Sequence, residues 1–494
     1  CSMETPFKDA VWIMADTDGD ASPTHRYYLY TASFDITADA PVTLYISAFS
    51  QYAVFVNGTF ADAGVFEDYD FHPVYDTIDL TPLCKPGRNT LTVGHYVCGE
   101  NFSTRAKGTP GVIFAVVQAE KTLAASSAKT PSTHDTRYLD THERLTYQLG
   151  FNFEFDARAS LPPFRDSLPV EKTRALTPRP IEKLTVGAPI DAKLTAQGIF
   201  RENDASLPKA ARMYTAFLSA KPFSAVSRTA NGNHLAFGEN DTADGLYFLY
   251  DLGGETAGYL SFSCDVPEDT EILVGFGEHY EDLRVRSLLG TRNFCFRFVA
   301  KKGHNDFFYP FQRIGLRYLQ LHVYAKEATL QNVGVLPTDY PLTVYPCPTG
   351  DGLHKLIYEV GVKTLRMCMH EHYEDCPWRE QSLYGMDSRI QILCGYYAFR
   401  EFRFPRASLA LMARSFRPHD ALLELCAPGR VSITIPSFTA IFLREIYEYR
   451  CYSGDNTLVS ELFPTLHAIA DGFISRIDDT GLIPLYTGTE HWNF

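Results

Sequence analysis

The strongest constraint on the fold is a change in the spacing of apolar residues near residue 350. Before this point apolar and polar residues alternate, as over residues 316–323, which is the period of a half-buried strand. After it, apolar residues recur at helical spacing, as at Leu353, Leu356, Ile357 and Val360. Because one architecture cannot satisfy both periods, we predict a multidomain protein in which β domains precede a helical domain.

The first block of the β part has the pattern of a β-sandwich. Residues 28–36 and 42–49 alternate and are rich in β-branched and aromatic side chains. Asn57-Gly58 interrupts the next apolar run, and this pair supplies the two positive-φ residues of a tight hairpin turn. We therefore predict a β-sandwich over residues 1–125.

A stretch rich in proline separates this block from a second one. Residues 126–200 have little periodicity and many prolines, so we interpret them as an irregular connection that wraps on, or returns to, the first sandwich. Strand patterns resume over residues 201–345 and predict a second β-sandwich.

The remaining residues, 346–494, are predicted to form helices. Their apolar periodicity favours helices over residues 352–369, 386–399, 438–452 and 458–473. Ser453-Gly454-Asp455 separates the last two and has the composition of a helix end followed by a new start. The pattern indicates a run of helical hairpins.

Composition excludes several classes of protein. The chain has 494 residues, of which 45% are hydrophobic and 21% are charged, as in ordinary folded proteins. Its formal net charge of −14 would repel the phosphates of nucleic acid. The longest apolar runs, such as residues 112–117, are far shorter than the roughly 20 residues that span a bilayer. We expect neither a nucleic-acid partner nor a membrane-spanning segment.

The cysteines give little information about the compartment. Eleven cysteines are scattered without a repeated spacing, and we interpret them as reduced, mostly buried thiols. Cys1 leaves two alternatives open: the lipid-carrying residue of an exported lipoprotein, or the trimmed start of a longer sequence. The location thus stays open between an exported or lipid-anchored protein and a cytoplasmic one.

The densest group of chemically active side chains lies at residues 369–387, between the first two predicted helices. The segment contains two histidines, several carboxylates and a cysteine. Pro377 has no backbone N–H and favours extended geometry at Cys376, so the segment cannot be one continuous helix. We predict a loop at the end of a helical hairpin, which we call the 369–387 loop.

Three interpretations of this loop stay open on the residues alone. It could be a solvated acidic loop in which Asp387 caps the following helix. It could be a metal site formed by His370, His372 and Cys376, although their spacing matches no H-E-x-x-H pattern and a lone H-x-H pair is a weak signal. In the third interpretation carboxylates perform the acid/base chemistry of glycoside cleavage. Its candidate carboxylates are Asp375, Glu380 and Asp387.

Aromatic and basic neighbours fit the third interpretation. Trp378 and Tyr384 could form apolar walls, and burial against them would raise the pKa of an acid. Arg379 could pair with one carboxylate and hold it ionised.

The string Asp375-Cys-Pro-Trp-Arg-Glu380, followed by Gly385-Met-Asp387, resembles the signature loop of bacterial α-L-rhamnosidases of glycoside hydrolase family 78. Other stretches resemble the accessory and barrel domains of that family, at residues 52–58, 251–260, 277–278, 311–318, 435–438 and 492–494. The resemblance covers most of the chain. It implies two N-terminal β-sandwich domains followed by the first part of an (α/α)6 catalytic barrel.

The resemblance also implies roles for individual residues. Glu380 is expected to be the general acid that protonates the leaving oxygen, and Asp375 and Asp387 to bind rhamnose hydroxyls. The other expected substrate-binding residues are Arg379, Trp378, Tyr384 and Trp492. Tyr384 departs from the family, because many members have tryptophan at this position.

The family is understood to invert configuration by means of a water-activating glutamate much farther along the barrel. A closed six-hairpin barrel needs about twelve helices, and we count about five or six after residue 350, four of them with the ranges given above. We therefore expect the chain to end inside the barrel and the general base to lie beyond Phe494. We interpret Glu490 as a loop residue that lines the cleft.

Together these observations predict an inverting glycoside hydrolase that releases terminal α-L-rhamnose from glycans or glycosides. Carboxylates suffice for this chemistry, so we expect no metal and no organic cofactor. Two alternatives stay open: a non-catalytic carbohydrate-binding protein, and a six-hairpin-barrel glycosidase for another sugar.

Overall fold

The structure, a computed structural model, describes residues 6–16, 19–20, 22–36, 40–222, 227–229, 232–238 and 241–493. Cys1 and Phe494 therefore lie outside the described residues. The described chain is mostly β, with several sheets in its first 340 residues and five of its six α-helices after residue 350. This order confirms the prediction that β structure precedes helical structure. None of the helices in the described ranges is long and apolar enough to cross a membrane.

Two mainly antiparallel sheets form the first β domain. The strands of the first 186 residues are β1 (Ile13–Met14), β2 (Arg26–Ile36), β3 (Val42–Phe49), β4 (Gln51–Val56), β5 (Thr59–Gly64), β6 (Val74–Asp79), β7 (Gly87–Val97), β8 (Gly111–Gln118), β9 (Lys121–Ala125), β10 (Pro131–His134), β11 (Arg144–Thr146), β12 (Gly150–Phe151), β13 (Glu154–Asp156), β14 (Arg165–Asp166), β15 (Leu168–Pro169), β16 (Thr177–Pro178) and β17 (Thr185–Val186). One sheet has the order β15-β1-β8-β3-β6-β16 and the other β14-β10-β2-β7-β4-β5.

The two sheets enclose a single apolar core. Leu44 and Phe114 from one sheet and Val54 and Val93 from the other are fully buried in it. Strands β4 and β5 form the predicted hairpin, in which the φ angles of Asn57 and Gly58 are 52° and 81°.

The stretch predicted as an irregular connection contributes short edge strands. Strand β14 pairs with β10 in one sheet of the first domain, and β15 and β16 pair with β1 and β6 in the other. This part of the chain therefore returns to the first domain. Strand β13 instead pairs with a strand of the second domain, at Phe155 opposite Phe298.

The second β domain is built on one sheet of twelve strands, whereas the first β domain has two sheets. Its elements are β18 (Lys193–Arg201), α1 (Lys209–Thr215), β19 (Phe217–Ala220), β20 (Ser227–Thr229), β21 (Gly232–Ala236), β22 (Gly245–Val266), β23 (Thr270–Gly277), β28 (Cys295–Ala300), β29 (Gly303–Phe308), β30 (Ile314–Val323) and β31 (Glu327–Asp339). Strands β13 and β17 complete the twelve, by pairing with β28 and β31. Two separate hairpins lie within it and comprise β24 (Tyr280–Glu281), β25 (Arg284–Val285), β26 (Leu288–Leu289) and β27 (Arg292–Asn293).

The long strand β22 takes part in both halves of this sheet. Its register shifts between Asp251 and Thr256, where Gly253 has a φ of 83° that favours glycine. Before the shift β22 pairs with β18, and after it with β29 and β31. Side chains from both halves, such as Phe248 and Phe262, share one core. The sheet therefore folds over itself around this core.

The helical part contains five helices and four very short strands. They are α2 (Gly352–Met367), β32 (Leu383–Tyr384), α3 (Gly385–Ala398), α4 (Arg403–Ala413), β33 (Phe416–Arg417), β34 (Leu422–Leu423), β35 (Cys426–Ala427), α5 (Pro436–Ser453) and α6 (Thr457–Ile474). The sequence predicted four of these helices and missed α4. Pro405 interrupts its pattern but is tolerated in a first turn, whose N–H groups have no helical partner.

Helices α3 to α6 pack on one another, whereas α2 leaves its apolar stripe in solvent. The core of this part contains Phe404, Phe442 and Leu458, all fully buried. On α2, by contrast, Leu353 is 64% exposed and Val360 is 57% exposed. The stripe predicted on α2 thus exists, but it does not pack on the described part of the chain.

A group of buried charges joins the first β domain to the connecting segment. Asp76 on β6 is fully buried and accepts hydrogen bonds from Arg179 Nη2 at 3.2 Å and Lys183 Nζ at 3.3 Å. The Tyr52 hydroxyl also donates to it. Burial alone would raise the pKa of Asp76, but the charges of Arg179 and Lys183 outweigh it and hold that pKa well below its usual range.

The same chain of ion pairs continues into the 369–387 loop and the second β domain. Arg179 Nη1 lies 3.8 Å from Glu371 Oε1, and Arg313 Nη1 lies 3.5 Å from Glu371 Oε2. Arg313 also donates to the buried Glu374, whose Oε2 lies 3.1 Å from His370 Nδ1. The chain therefore links all three parts of the fold beneath the loop.

Replacing Asp76 by Asn should destabilise the protein strongly. It removes the charge that compensates Arg179 and Lys183, and breaking a buried pair in this way costs about 3–5 kcal/mol. The free energy of the first thermal unfolding transition at pH 7 measures the effect. Asp35→Asn, at an exposed position of β2 in the same domain, is the matched control and should change it by less than about 0.5 kcal/mol. Equal effects of the two substitutions would contradict this role of Asp76.

Candidate active site

The 369–387 loop is closed by hydrogen bonds across its base. The Asp375 N–H donates to the Ser382 carbonyl at 3.1 Å, and the Ser382 N–H donates to Asp375 Oδ1 at 3.0 Å. Inside this closure the Gln381 N–H donates to the Cys376 carbonyl at 3.2 Å. The loop therefore holds Asp375 and Glu380 in fixed positions on one tight turn that contains Pro377, as the proline predicted.

Five of the seven predicted site residues line one cleft. The cleft has a volume of about 710 Å³ and contains the side chains of Asp375, Glu380, Tyr384, Asp387 and Trp492. Its other walls come from the segment before and at the start of α5 and from the first β domain. These wall residues are Leu425, Arg430, Val431, Ser432, Ile433, Ile435, Phe438, Asn101, Ser103, Arg144, Tyr147 and Gln148.

Both carboxylate oxygens of Glu380 accept hydrogen bonds. The Tyr384 hydroxyl donates to Oε2 at 2.9 Å, and Arg292 Nη2 donates to Oε1 at 3.2 Å. Burial raises the pKa of Tyr384 well above its ordinary value, so its hydroxyl stays protonated and can donate. Both contacts favour negative charge on Glu380, which is the charge that remains once this residue has given up a proton.

The position of Asp375 in the cleft shifts its pKa strongly. Burial, together with the neighbouring charges of Glu380 and Asp387, raises the pKa of Asp375 to about 6. Two carboxylates that share a site in this way disfavour each other's ionised form. The cleft can therefore hold a proton near neutral pH.

Asp387 lies in the first turn of α3 but does not cap it. The N-cap position of α3 is Tyr384, and no side chain caps the helix there. The interpretation of Asp387 as a helix N-cap is therefore wrong. Partial desolvation and the charge of Glu380 raise the pKa of Asp387, and its carboxylate faces the cleft.

Trp378 does not line the cleft, which corrects the expectation that it binds substrate. Its side chain is 3% exposed and belongs to the core of the second β domain, with its ring centroid 4.6 Å from that of Phe294. The neighbouring Pro377 lies so close to Gly315 that a Cβ there would be 2.1 Å from the Pro377 carbonyl oxygen. Trp378 is thus an anchor that fixes the loop on the second β domain.

Arg379 also lies outside the cleft. Burial raises the pKa of Glu278, and the charge of Arg379 opposes this rise. The charge of Arg379 thus acts on Glu278 of the second β domain, and among the described residues no ion pair within 4.0 Å joins Arg379 to a carboxylate of the cleft.

The residues of the metal interpretation have protein partners. His370 Nδ1 lies 3.1 Å from Glu374, and His372 Nδ1 lies 2.7 Å from the Tyr373 carbonyl oxygen. Burial raises the pKa of the Cys376 thiol to about 12, so the thiol is neutral. No group of three or more His, Cys, Asp and Glu side chains within the described ranges is arranged to hold a metal ion.

Backbone pairing near the end of the described chain places Trp492 at the cleft. The Thr434 N–H donates to the Glu490 carbonyl at 2.7 Å, and the Trp492 N–H donates to the Thr434 carbonyl at 2.9 Å. Trp492 is 48% exposed and lines the cleft. The Glu490 carboxylate instead turns towards Gly488 and lies 3.5 Å from the His491 ring. Glu490 is not among the residues that line the cleft, contrary to the expectation from the sequence.

Sequence reasoning missed the parts of the site that come from distant segments. Arg292 reaches Glu380 from β27, 88 positions earlier in the chain. Arg144 and Tyr147 reach the cleft from the β11–β12 hairpin of the N-terminal region. No local pattern marks such residues, because only the packing of the domains brings them to the loop.

Asp375→Asn should stabilise the protein at high pH only. The fold raises the pKa of Asp375 from 3.8 to about 6, so the stability that protonated Asp375 contributes is complete below pH 4 and lost as the pH rises through 6. Asparagine cannot ionise, and the variant should exceed the wild type at pH 8 by on the order of 2–3 kcal/mol. Thermal unfolding from pH 5 to pH 8 measures this difference, with the exposed Glu281→Gln as control. A difference that does not grow with pH would refute the shift.

Comparisons with known proteins identify the fold. No protein-family model matches the sequence, and no curated protein matches it either. Among solved structures, a glycoside hydrolase family 78 rhamnosidase of Bacillus sp. GL1 superimposes with a TM-score of 0.82 at 18% identity, over 96% of this chain and 70% of that one.

Two further α-L-rhamnosidases have the same fold. The enzyme from Aspergillus terreus matches with a TM-score of 0.67 at 16% identity, over 97% of this chain and 54% of its own. The enzyme from Streptomyces avermitilis, solved in complex with L-rhamnose, matches with a TM-score of 0.60 at 14% identity, over 92% of this chain and 42% of its own. The resemblance noted in the 369–387 loop is thus confirmed for the fold: the chain has the fold of solved α-L-rhamnosidases.

Proposed function

We propose that the chain is a glycoside hydrolase that releases terminal α-L-rhamnose from a rhamnose-containing glycan or glycoside. The observation that carries the proposal is the cleft in which Asp375, Glu380 and Asp387 meet, in a protein with the fold of α-L-rhamnosidases. The signature string of the loop supports the same sugar, as does the Streptomyces relative that was solved with L-rhamnose.

Glu380 is the general acid in this proposal. It donates its proton to the glycosidic oxygen as the bond to the leaving group breaks, and it becomes a carboxylate. Arg292 and Tyr384 already contact its two oxygens at 3.2 and 2.9 Å, so they stabilise this new charge without reorganisation.

Asp375 and Asp387 bind the hydroxyl groups of rhamnose. Carboxylates accept charge-assisted hydrogen bonds from sugar hydroxyls, and both side chains face the same cleft as the acid. Tyr384 and Trp492 supply aromatic surface on which the less polar face of the sugar can pack. Because the Tyr384 hydroxyl is bound to Glu380, its ring has a fixed orientation.

An inverting reaction also requires a carboxylate that activates water on the opposite face of the sugar, about 6.5–9.5 Å from the acid. Asp375 and Asp387 lie on the same loop and helix end as Glu380, which suits hydroxyl binding beside the acid rather than water activation across from it. In the enzymes that the loop resembles, a glutamate from a later barrel segment has this role. The chemistry we propose uses carboxylates alone and requires no cofactor.

Glu380→Gln tests the acid. Glutamine keeps the shape but has no transferable proton, so hydrolysis of methyl α-L-rhamnoside should slow by on the order of 10²–10⁴. A dinitrophenyl α-L-rhamnoside needs little protonation and should lose much less. Glu490→Gln is the matched control, because its carboxylate lies outside the cleft, and it should retain the wild-type rate on both substrates.

Two results would contradict these assignments. Equal losses on both substrates would show that Glu380 binds the sugar and is not the acid. Loss of activity in Glu490→Gln would indicate a catalytic role for that residue. A panel of aryl glycosides separates the alternatives, since a glycosidase for another sugar would cleave a different member and a binding protein would cleave none.

A further inference from the structure

A second groove adjoins the cleft and has a different charge. It has a volume of about 410 Å³ and shares Arg430 with the cleft. Its charged and aromatic lining residues are Lys107, Lys172, Arg174, Arg430, Asp70, Glu171, Tyr69 and Phe71. We call it the basic groove.

The basic groove carries an excess of positive charge in a protein whose net charge is −14. Lys172 Nζ is paired with Asp70 Oδ1 at 2.9 Å, which neutralises both. The remaining cations are Lys107, Arg174 and Arg430, all exposed, and they face one further lining carboxylate, Glu171. Across the described ranges, none of these three cations forms an ion pair within 4.0 Å. They are therefore available to an anion from outside.

Exposed aromatic rings accompany these cations. Phe71 is 43% exposed and stacks on the buried Tyr69, with the ring centroids 5.3 Å apart, and Arg430 lies 5.5 Å from the Tyr69 ring centre. In the adjoining cleft Tyr147 is 64% exposed, and the Arg144 guanidinium lies 5.3 Å from its ring centre. Aromatic faces beside hydrogen-bonding cations are a surface on which sugar rings can stack.

The wall that carries these residues is separate from the wall that carries the acid. Residues 69–71, 101–109 and 171–174 belong to segments that connect strands of the first β domain, and Arg430 belongs to the segment before α5. The acid and the rhamnose-binding carboxylates belong instead to the 369–387 loop and α3. Rhamnose is uncharged, so it offers no partner to the cations. The group attached to rhamnose, which must extend away from the three carboxylates, can provide one.

We propose that the basic groove binds the saccharide from which rhamnose is cleaved, and that this saccharide carries uronate carboxylates. A chain of uronic acid residues presents a carboxylate on each sugar, and Arg and Lys bind such groups through charge-assisted hydrogen bonds. Arg430 stands where the cleft and the groove meet and would contact the first uronate. The inference rests on the proposed function, because it places rhamnose in the cleft. Binding of uronates to the basic groove can nevertheless be tested without any hydrolysis.

The binding test uses trigalacturonate as the probe, measured by titration calorimetry on the full chain. We expect binding that weakens at least tenfold in the double variant Lys107→Gln/Arg174→Gln, and that weakens as salt is raised. Arg88→Gln removes an exposed cation at the opposite end of β7 from these segments and should leave the affinity unchanged. The carboxyl-reduced, neutral trisaccharide should bind at least tenfold more weakly than trigalacturonate.

The activity test compares rhamnose release from an α-L-rhamnosyl uronate with release from its carboxyl-reduced analogue. The wild type should have a higher kcat/KM on the uronate than on the analogue. When the uronate chain is three residues long, the ratio of these two kcat/KM values should be at least tenfold smaller in Lys107→Gln/Arg174→Gln than in the wild type. The same variant should cleave a small aryl α-L-rhamnoside at the wild-type rate, because that substrate does not reach the groove.

The outcomes separate this inference from the proposed function. Trigalacturonate binding without release of rhamnose from any substrate would uphold the groove and refute the rhamnosidase proposal. Rhamnose release with no trigalacturonate binding, or with equal affinity for the neutral trisaccharide, would contradict the proposal that the basic groove binds uronates. Equal affinity of the double variant and the wild type would overturn it as well.

Discussion

The geometry of the site depends on a chain of buried ion pairs that no single domain contains. Asp76 and Arg179 lie in the N-terminal part, Arg313 in the second β domain, and Glu371 and Glu374 in the 369–387 loop. Buried charges are costly unless each is paired, so displacing one domain would leave several uncompensated. Trp378 adds an apolar anchor on the same side of the loop. These contacts hold the loop from below and leave its carboxylates free to face the cleft.

Local patterns predicted the parts of the fold that local physics decides. The alternation of strands, the Asn57-Gly58 hairpin and four of the five later helices follow from the spacing of apolar residues and from backbone preferences. Helix α4 was missed because Pro405 disrupts the pattern in a turn where proline costs little. The folding of the second β domain into one bent sheet depends on the long strand β22 and its glycine at 253, and no periodicity reveals a strand shared by two layers.

The site shows the same division between local and long-range information. Asp375, Glu380 and Asp387 could be grouped from the sequence because they are close neighbours on one loop and the following helix turn. Trp378 was misplaced because the same residue type serves as a sugar platform or as a core anchor, and only packing decides between them. Arg292 and Tyr147 come from segments far away in the chain, so neither could be assigned before the domains were assembled.

The central proposal is that α-L-rhamnosides are cleaved with inversion in the cleft that contains Asp375, Glu380 and Asp387. Proton NMR of the first rhamnose released from an α-L-rhamnoside tests it most directly, because the two anomers have separate signals before they equilibrate. We predict that β-L-rhamnose accumulates first and that the α anomer follows only at the rate of mutarotation. Initial appearance of α-L-rhamnose would show retention of configuration, and the absence of any rhamnose would contradict the assignment of the cleft as a rhamnosidase site.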